Sequence, residues 1–254
     1  MAITIKSERE IELMAEAGKI LERVHNELEK ALHPGMSTKD IDTLGEKIIR
    51  SYGCIPSFLN YNGYPASICV SVNQEVVHGI PDKHRIIHEG DIVSLDAGVI
   101  YKGYHSDAAR THAVGEVSEE AKKLIQVTKE CFFEGIKYAK AGNHLFDISG
   151  AIGRYAEERG YGVVRDLCGH GIGTALHEAP EIPNYEVGRK GVKLRPGMTL
   201  AIEPMINIGT YEVDWLDDDW TVVTRDGSLS AHYENTILIT EGEPRILSLT
   251  DRKS

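Results

Sequence analysis

The stretch DIVSLDAGVIYKGYHSDAARTHAVG, residues Asp91 to Gly115, decides how this chain is read. Val93, Leu95, Ala97 and Val99 alternate with Ser94, Asp96 and Gly98, and a second extended run from Tyr104 to Val114 follows a short turn. That is the pattern of a β-hairpin. With the turn centred on Tyr101-Lys102, Asp96 falls opposite Asp107 on one face. Directly opposed residues hold their Cβ atoms roughly 4.5–5.5 Å apart, and two carboxylates at that distance destabilise a sheet unless a cation lies between them. The hairpin therefore reads as a clamp for a divalent metal. The alternative is two solvated acids on an exposed face, and the rest of the chain decides between them.

Outward from the hairpin the elements repeat. Ser7 with Glu10 forms a capping box ahead of Ile11, Leu13, Ala17, Ile20, Leu21, Val24 and Leu28 at helical spacing, stopped by His33-Pro34-Gly35. Ser37 or Thr38 caps a second helix through Ile41, Leu44 and Ile48, ended by Gly53. Beyond the hairpin, Ser118-Glu119-Glu120 opens a third helix, and Asn143 precedes a fourth that ends near Gly160. Gly35 and Gly142, Asp40-Ile41 and Asp147-Ile148, Gly53 and Gly160, and Gly90 and Gly197 are each 107 residues apart, as are Asp96 and Glu203. An acid at the repeat distance of a set of glycines implies two similar α+β halves, about 7–117 and 118–250, with acids facing a shared centre. No linker separates them, so residues 1–254 are expected to form a single domain.

At 254 residues and 41% hydrophobic content the chain can bury a full core without disulfides. Cys54, Cys69, Cys131 and Cys168 show no CxxC spacing, which suits reduced thiols and argues against a zinc-thiolate site. The opening MAITIKSERE lacks the apolar core of a signal peptide, and no apolar run approaches a membrane span, so a soluble cytoplasmic protein is expected. A net charge of −11 disfavours a broad nucleic-acid surface. Two segments rich in glycine, proline and aromatics, 57–81 and 167–184, read as site-forming loops. Gly169-His170-Gly171-Ile172-Gly173 does not continue into a phosphate loop, because Pro180 and Pro183 stand where its helix would begin. GxSxG, HExxH and GxxxxGK[ST] are all missing.

Asp96, Asp107, His170, Glu203 and Glu234 make four carboxylates and one imidazole, mostly on strands. Four negative charges balance two divalent cations, and oxygen-rich ligation with one nitrogen suits Mn, Fe or Co better than a closed tetrahedral zinc site. Taken singly, His170 has the alternative of a hydrogen-bonded core histidine and Glu234 that of a strand-edge acid.

SLDAG with Asp96, HSDAART with Asp107, GHGIG with His170, AIEP with Glu203 and SAHYENT with Glu234, in that order, resemble the methionine aminopeptidases of type I. The resemblance runs from the first helix to about Leu249. It implies the pita-bread fold: α+β, with two pseudo-symmetric α/β halves around a central curved antiparallel sheet. It also implies removal of the N-terminal methionine, before a small second residue, from the N-termini of nascent polypeptides. Two divalent ions (Co, Mn, Fe or Zn) are implied, one held by Asp96 and Asp107, the other by His170 and Glu203, with Asp107 and Glu234 bridging. A water between them attacks the scissile carbonyl and Glu203 takes its proton.

By the same resemblance VHGIP and LHEAP place His78 at the scissile amide and His177 at the developing oxyanion, and Phe58, Tyr61, Tyr64, Cys69 and Trp220 fall at or beside the methionine pocket. Asn73 and Ser230 match a monovalent-cation position. Leu176 and Phe58 depart from residues common in bacterial members. Relatives dock on the ribosome through lysines before the site tryptophan, whereas Glu212 to Asp219 holds five acids and no lysine, so ribosome contact is expected to be weak or transient. A monomer is expected, with no DNA or membrane partner. The rival readings are a proline-specific peptidase related to prolidase and aminopeptidase P, and a pita-bread binding protein without catalysis.

Overall fold

A computed structural model describes residues 3–249. Its first half runs α1 (Glu8–Ala31), α2 (Thr38–Ser51), β1 (Ile55–Pro56), β2 (Ile68–Val72), β3 (Glu75–Val77), β4 (Ile92–Tyr101) and β5 (Tyr104–Ala113). The second begins with α3 (Glu119–Ile136), α4 (Leu145–Glu157), β6 (Gly162–Val163), β7 (Gly169–Gly171), β8 (Glu178–Ile182) and β9 (Thr199–Ile202). It continues through β10 (Met205–Asn207), β11 (Val213–Trp215), β12 (Val222–Thr224), β13 (Ser230–His232), β14 (Asn235–Leu238) and β15 (Arg245–Ile246). This is the α+β class expected, and the ladders are antiparallel.

The hairpin β4–β5 forms with a register two residues from the expected one. Tyr101 pairs with Tyr104, Asp96 with Ala109, and Asp107 with Gly98. The turn is Lys102-Gly103, with φ of 49° and 86°. A two-residue hairpin turn of the favoured hand needs φ > 0 at both central positions, and glycine takes the second freely, whereas a turn on Tyr101-Lys102 would force the bulky Tyr101 there. Because the shift is even, the alternation survives, and Asp96 and Asp107 remain on one face as diagonal neighbours. On the other side of β4, Cys69 of β2 pairs with Asp96.

Each half lays two helices over its strands. Leu21, Val24, Ile41 and Ile49 of α1 and α2 pack on Val93 and Leu95, while Leu124, Phe132, Ile148 and Ile152 of α3 and α4 pack on Leu200 and Ile202. Ser7 and Ser37 cap α1 and α2, with Glu10 and Asp40 returning the bond. Ser118 caps α3. His144 caps α4, and the Asp147 carboxylate accepts from its N–H at 2.8 Å.

The 107-residue echo extends to the backbone. Gly35 N–H donates to the Ile87 carbonyl at 2.8 Å and Gly142 N–H to that of Leu194 at 3.1 Å; Ile87 N–H donates to Met36 and Leu194 N–H to Asn143, both at 2.8 Å. Gly35 and Gly142 share φ of 93°, in the left-handed region open to glycine. The four cysteines are free. No helix among the described residues is long and apolar enough to cross a membrane.

Candidate metal centre

Where the halves meet lies a cavity of about 180 Å³. Asp96 reaches it from β4, Asp107 from β5, His170 from β7, Glu203 from the end of β9 and Glu234 from the turn between β13 and β14. His78, His177, Phe58, Tyr61, Tyr64, Cys69 and Trp220 line the same cavity. The structure thus brings together every catalytic, ligand and pocket residue singled out in the sequence. Asn73 and Ser230 lie outside it and touch each other, the Ser230 N–H donating to the Asn73 carbonyl at 2.9 Å.

The acids are packed tightly. Asp107, His170 and Glu234 each offer a ligand atom within 4.8 Å of the others, and His170 Nε2 stands 3.6 Å from a Glu203 oxygen. Burial pushes the Asp96 carboxyl up to about 7. Asp107, Glu203 and Glu234 are raised well above the ordinary carboxylate range, first by burial and then by one another's charge. Asp96 Oδ1, Asp107 Oδ1 and Glu234 Oε1 are buried with no hydrogen-bond partner among the described residues. His170 Nδ1–H donates to the Gly171 carbonyl at 2.8 Å, leaving the Nε2 lone pair toward the acids. Burial holds this ring neutral, its pKa lowered to about 3. Neighbouring buried carboxylates with orphaned oxygens, beside a neutral imidazole aimed at them, fit divalent cations and are poorly served by protein donors alone.

The opposite wall is aromatic. Tyr64 and Trp220 meet edge to face at 5.1 Å, and the Tyr64 hydroxyl donates to the Gly79 carbonyl at 2.9 Å. Tyr61 sits in a short turn entered through Asn60 at φ 66°, and its hydroxyl lies 2.7 Å from His177 Nδ1. The His177 ring lies 4.1 Å from that of His170, tilted by 60°. Burial raises the Cys69 thiol well above its usual range, so it stays neutral. His78 holds φ of 60°, a conformation a non-glycine residue keeps only where its surroundings enforce it.

Sequence reasoning missed three residues. Asn62 lines the cavity, and His232, 1% exposed, stands behind Glu203 with Nε2 3.9 Å from its carboxylate. His105 supports the hairpin from Ser57 at 3.0 Å. Each histidine precedes a site acid by two residues, but that spacing alone does not show which distant segment the ring meets. The acidic loop is less free than its composition suggests. Asp218 accepts from the Trp220 and Thr221 N–H groups at 2.9 and 2.7 Å, and Arg225 pairs with Glu212 and Asp214 at 2.8 and 3.0 Å.

Residues 12–241 match the model of metallopeptidase family M24. A methionine aminopeptidase of Clostridium acetobutylicum is 58% identical over 249 residues, covering 98% of this chain and all of the relative. Methionine aminopeptidase 1 of Bacillus subtilis is 51% identical over 94% of this chain and 96% of its own. Among solved structures, the methionine aminopeptidase of Thermotoga maritima superposes with a TM-score of 0.96 at 47% identity, covering 98% of this chain and all of that one. An Xaa-Pro dipeptidase of Bacillus anthracis gives 0.77 at 27% identity, covering 98% of this chain but 63% of its own.

Proposed function

Since the chain belongs to metallopeptidase family M24, among its methionine aminopeptidases, we propose that it removes the N-terminal methionine of nascent proteins using two divalent ions. Asp96 and Asp107 would hold one ion and His170 and Glu203 the other, with Asp107 and Glu234 placed to serve both. Ions there supply Lewis acidity, which polarises the scissile carbonyl, acidifies a water and anchors the free amine. The observation carrying this reading is the convergence of orphaned carboxylate oxygens and the lone pair of His170 on one wall of a cavity whose other wall is aromatic.

The side chains divide the remaining work. Glu203 would take the proton from the attacking water and return it to the leaving nitrogen. His78 orients the scissile amide. His177, with Nδ1 engaged by Tyr61, offers Nε2 to the developing oxyanion. Phe58, Tyr61, Tyr64, Cys69 and Trp220 enclose the methionine side chain, and a neutral thiol beside aromatic faces suits a thioether. The crowded turn at His78 limits the second residue to a small one. The divalent ions would be drawn from Mn, Fe, Co and Zn, and Asn73 and Ser230 would be the residues to hold a monovalent cation. Residues 1–254 act as one catalytic domain, of which 1, 2 and 250–254 lie outside the described residues. The protein works as a cytoplasmic monomer whose contact with ribosomes is weak, because the acidic loop repels phosphate.

Release of methionine from a Met-Ala-Ser peptide, measured beside an Xaa-Pro peptide, tests the reading. Activity on the first should vanish with a strong chelator and return with Mn or Co. Turnover that survives removal of metal, or faster cleavage of the Xaa-Pro peptide, overturns it.

A further inference from the structure

Asp107 and Glu234 come from different halves, on segments that no continuous ladder joins. Where β5 passes the segment from β13 to β14, the two run antiparallel, and Asp107 faces Thr236, Ala109 faces Glu234, and Thr111 faces His232. At the middle position the contact is direct, the Glu234 N–H donating to the Ala109 carbonyl at 3.0 Å. At the outer two a threonine hydroxyl stands between the strands. The Thr236 hydroxyl accepts from the Asp107 N–H and donates to the Asp107 carbonyl, both at 2.9 Å. Thr111, on the opposite strand, does the same to His232, again at 2.9 Å in each direction. One threonine belongs to each half, so the clasp is reciprocal. Thr236 is 0% and Thr111 9% exposed, which leaves water little access to either. Ser94 meets the Thr111 hydroxyl at 2.8 Å from behind.

We propose that Thr111 and Thr236 are positioning residues whose hydroxyls, inserted between the two halves, set the separation of the Asp107 and Glu234 carboxylates and so let two ions sit as a bridged pair. The inference rests on the dinuclear reading above. A direct ladder would draw the strands closer than a hydroxyl-wide gap allows. Valine, close to threonine in shape but without the oxygen, would strand a buried N–H and carbonyl at Asp107 or His232. The strands would then close or splay, and ligand geometry tolerates only about 0.5 Å of either. Groups that orient metal ligands from behind typically control about 10- to 100-fold in metal affinity.

The test is a titration with Mn(II) alone, read by calorimetry and by the exchange-coupled signal of a manganese pair in electron paramagnetic resonance. Thr236→Val and Thr111→Val should keep the circular dichroism of the parent and the first ion, bind the second about 10- to 100-fold more weakly, and lose the coupled signal. Thr236→Ser, which keeps the oxygen, should retain the pair. Valine variants with parental affinity for both ions, or a serine variant as defective as valine, overturn the proposal. So does failure of both valine variants to fold while the serine variant folds, since the hydroxyls would then serve folding rather than ligand spacing. A parent protein with no coupled pair would count against the dinuclear reading instead. Hydrogen exchange of the Asp107 and His232 amides, measured without metal, would then still address the clasp: valine should speed it, and unchanged exchange refutes the clasp.

Discussion

At His170 a single hydrogen bond, from Nδ1–H to the Gly171 carbonyl, decides which nitrogen is left for a cation. If the proposed dinuclear centre holds, Asp107→Ala or Glu234→Ala is expected to cost at least one ion by elemental analysis; two ions at near-parental turnover would remove these residues from the bridge. His177→Ala should instead keep both ions and lose on the order of 100-fold in kcat, the usual cost of a group that stabilises transition-state charge. A lost ion in that variant would make His177 a ligand.

Protonation supplies a further test at the same scale. The Asp96 carboxyl sits at about 7 in the metal-free protein against an ordinary 3.8, so the folded chain holds a proton there that the unfolded chain has released. The stability this contributes is complete below about pH 4 and is lost as pH rises through about 7. Divalent ions compete with that proton. Metal affinity should therefore rise between about pH 6 and pH 8, with proton release on binding greatest at the lower pH. Calorimetry in two buffers of different ionisation enthalpy counts those protons, and none released near pH 6 would mean the carboxylates are already ionised. Asp96 and Asp107 were legible from strand alternation, Glu203 from the 107-residue repeat, and His170 and Glu234 from the motifs that carry the family resemblance. His232 and Asn62 were not, since their relevance depends on which distant segment folds over them.

At the scale of the element, the hairpin shows what local pattern can and cannot specify. Alternation put Asp96 and Asp107 on one face, and an error of two residues in register left that intact, whereas an error of one would have sent Asp107 to the other side. The turn chemistry was present in the sequence as Gly103, the residue best able to hold φ of 86°. Nothing lies within 4 Å of a side chain added there, so Gly103→Ala meets only the backbone penalty, roughly 1–2 kcal/mol. Urea denaturation should show that loss with unchanged activity per folded molecule. Activity lost beyond the unfolded fraction would show that the turn also shapes the site.

For the whole molecule, the repeat of 107 residues was readable because its glycines mark turns that recur in both halves. The clasp between the halves was not, because its partners lie 121 and 129 residues apart and neither threonine belongs to a local pattern. Gly18, inside α1, shows how far apart in the chain such contacts reach: a Cβ there would overlap the Leu247 carbonyl. Alanine elsewhere in a helix gains about 1 kcal/mol over glycine, but this overlap with backbone should reverse the sign, destabilising by roughly 1–3 kcal/mol in thermal or chemical unfolding. Stabilisation by Gly18→Ala would mean that the C-terminal segment is not seated on α1. That seat, with Arg110 reaching the Ser248 carbonyl at 3.4 Å, makes the first helix wait for nearly the last residues of the chain. During synthesis the N-terminal half can therefore collapse but cannot close. While the segment around residue 248 is still inside the ribosome, α1 lacks the strand of backbone it rests on, so the two halves are expected to finish folding together rather than one after the other.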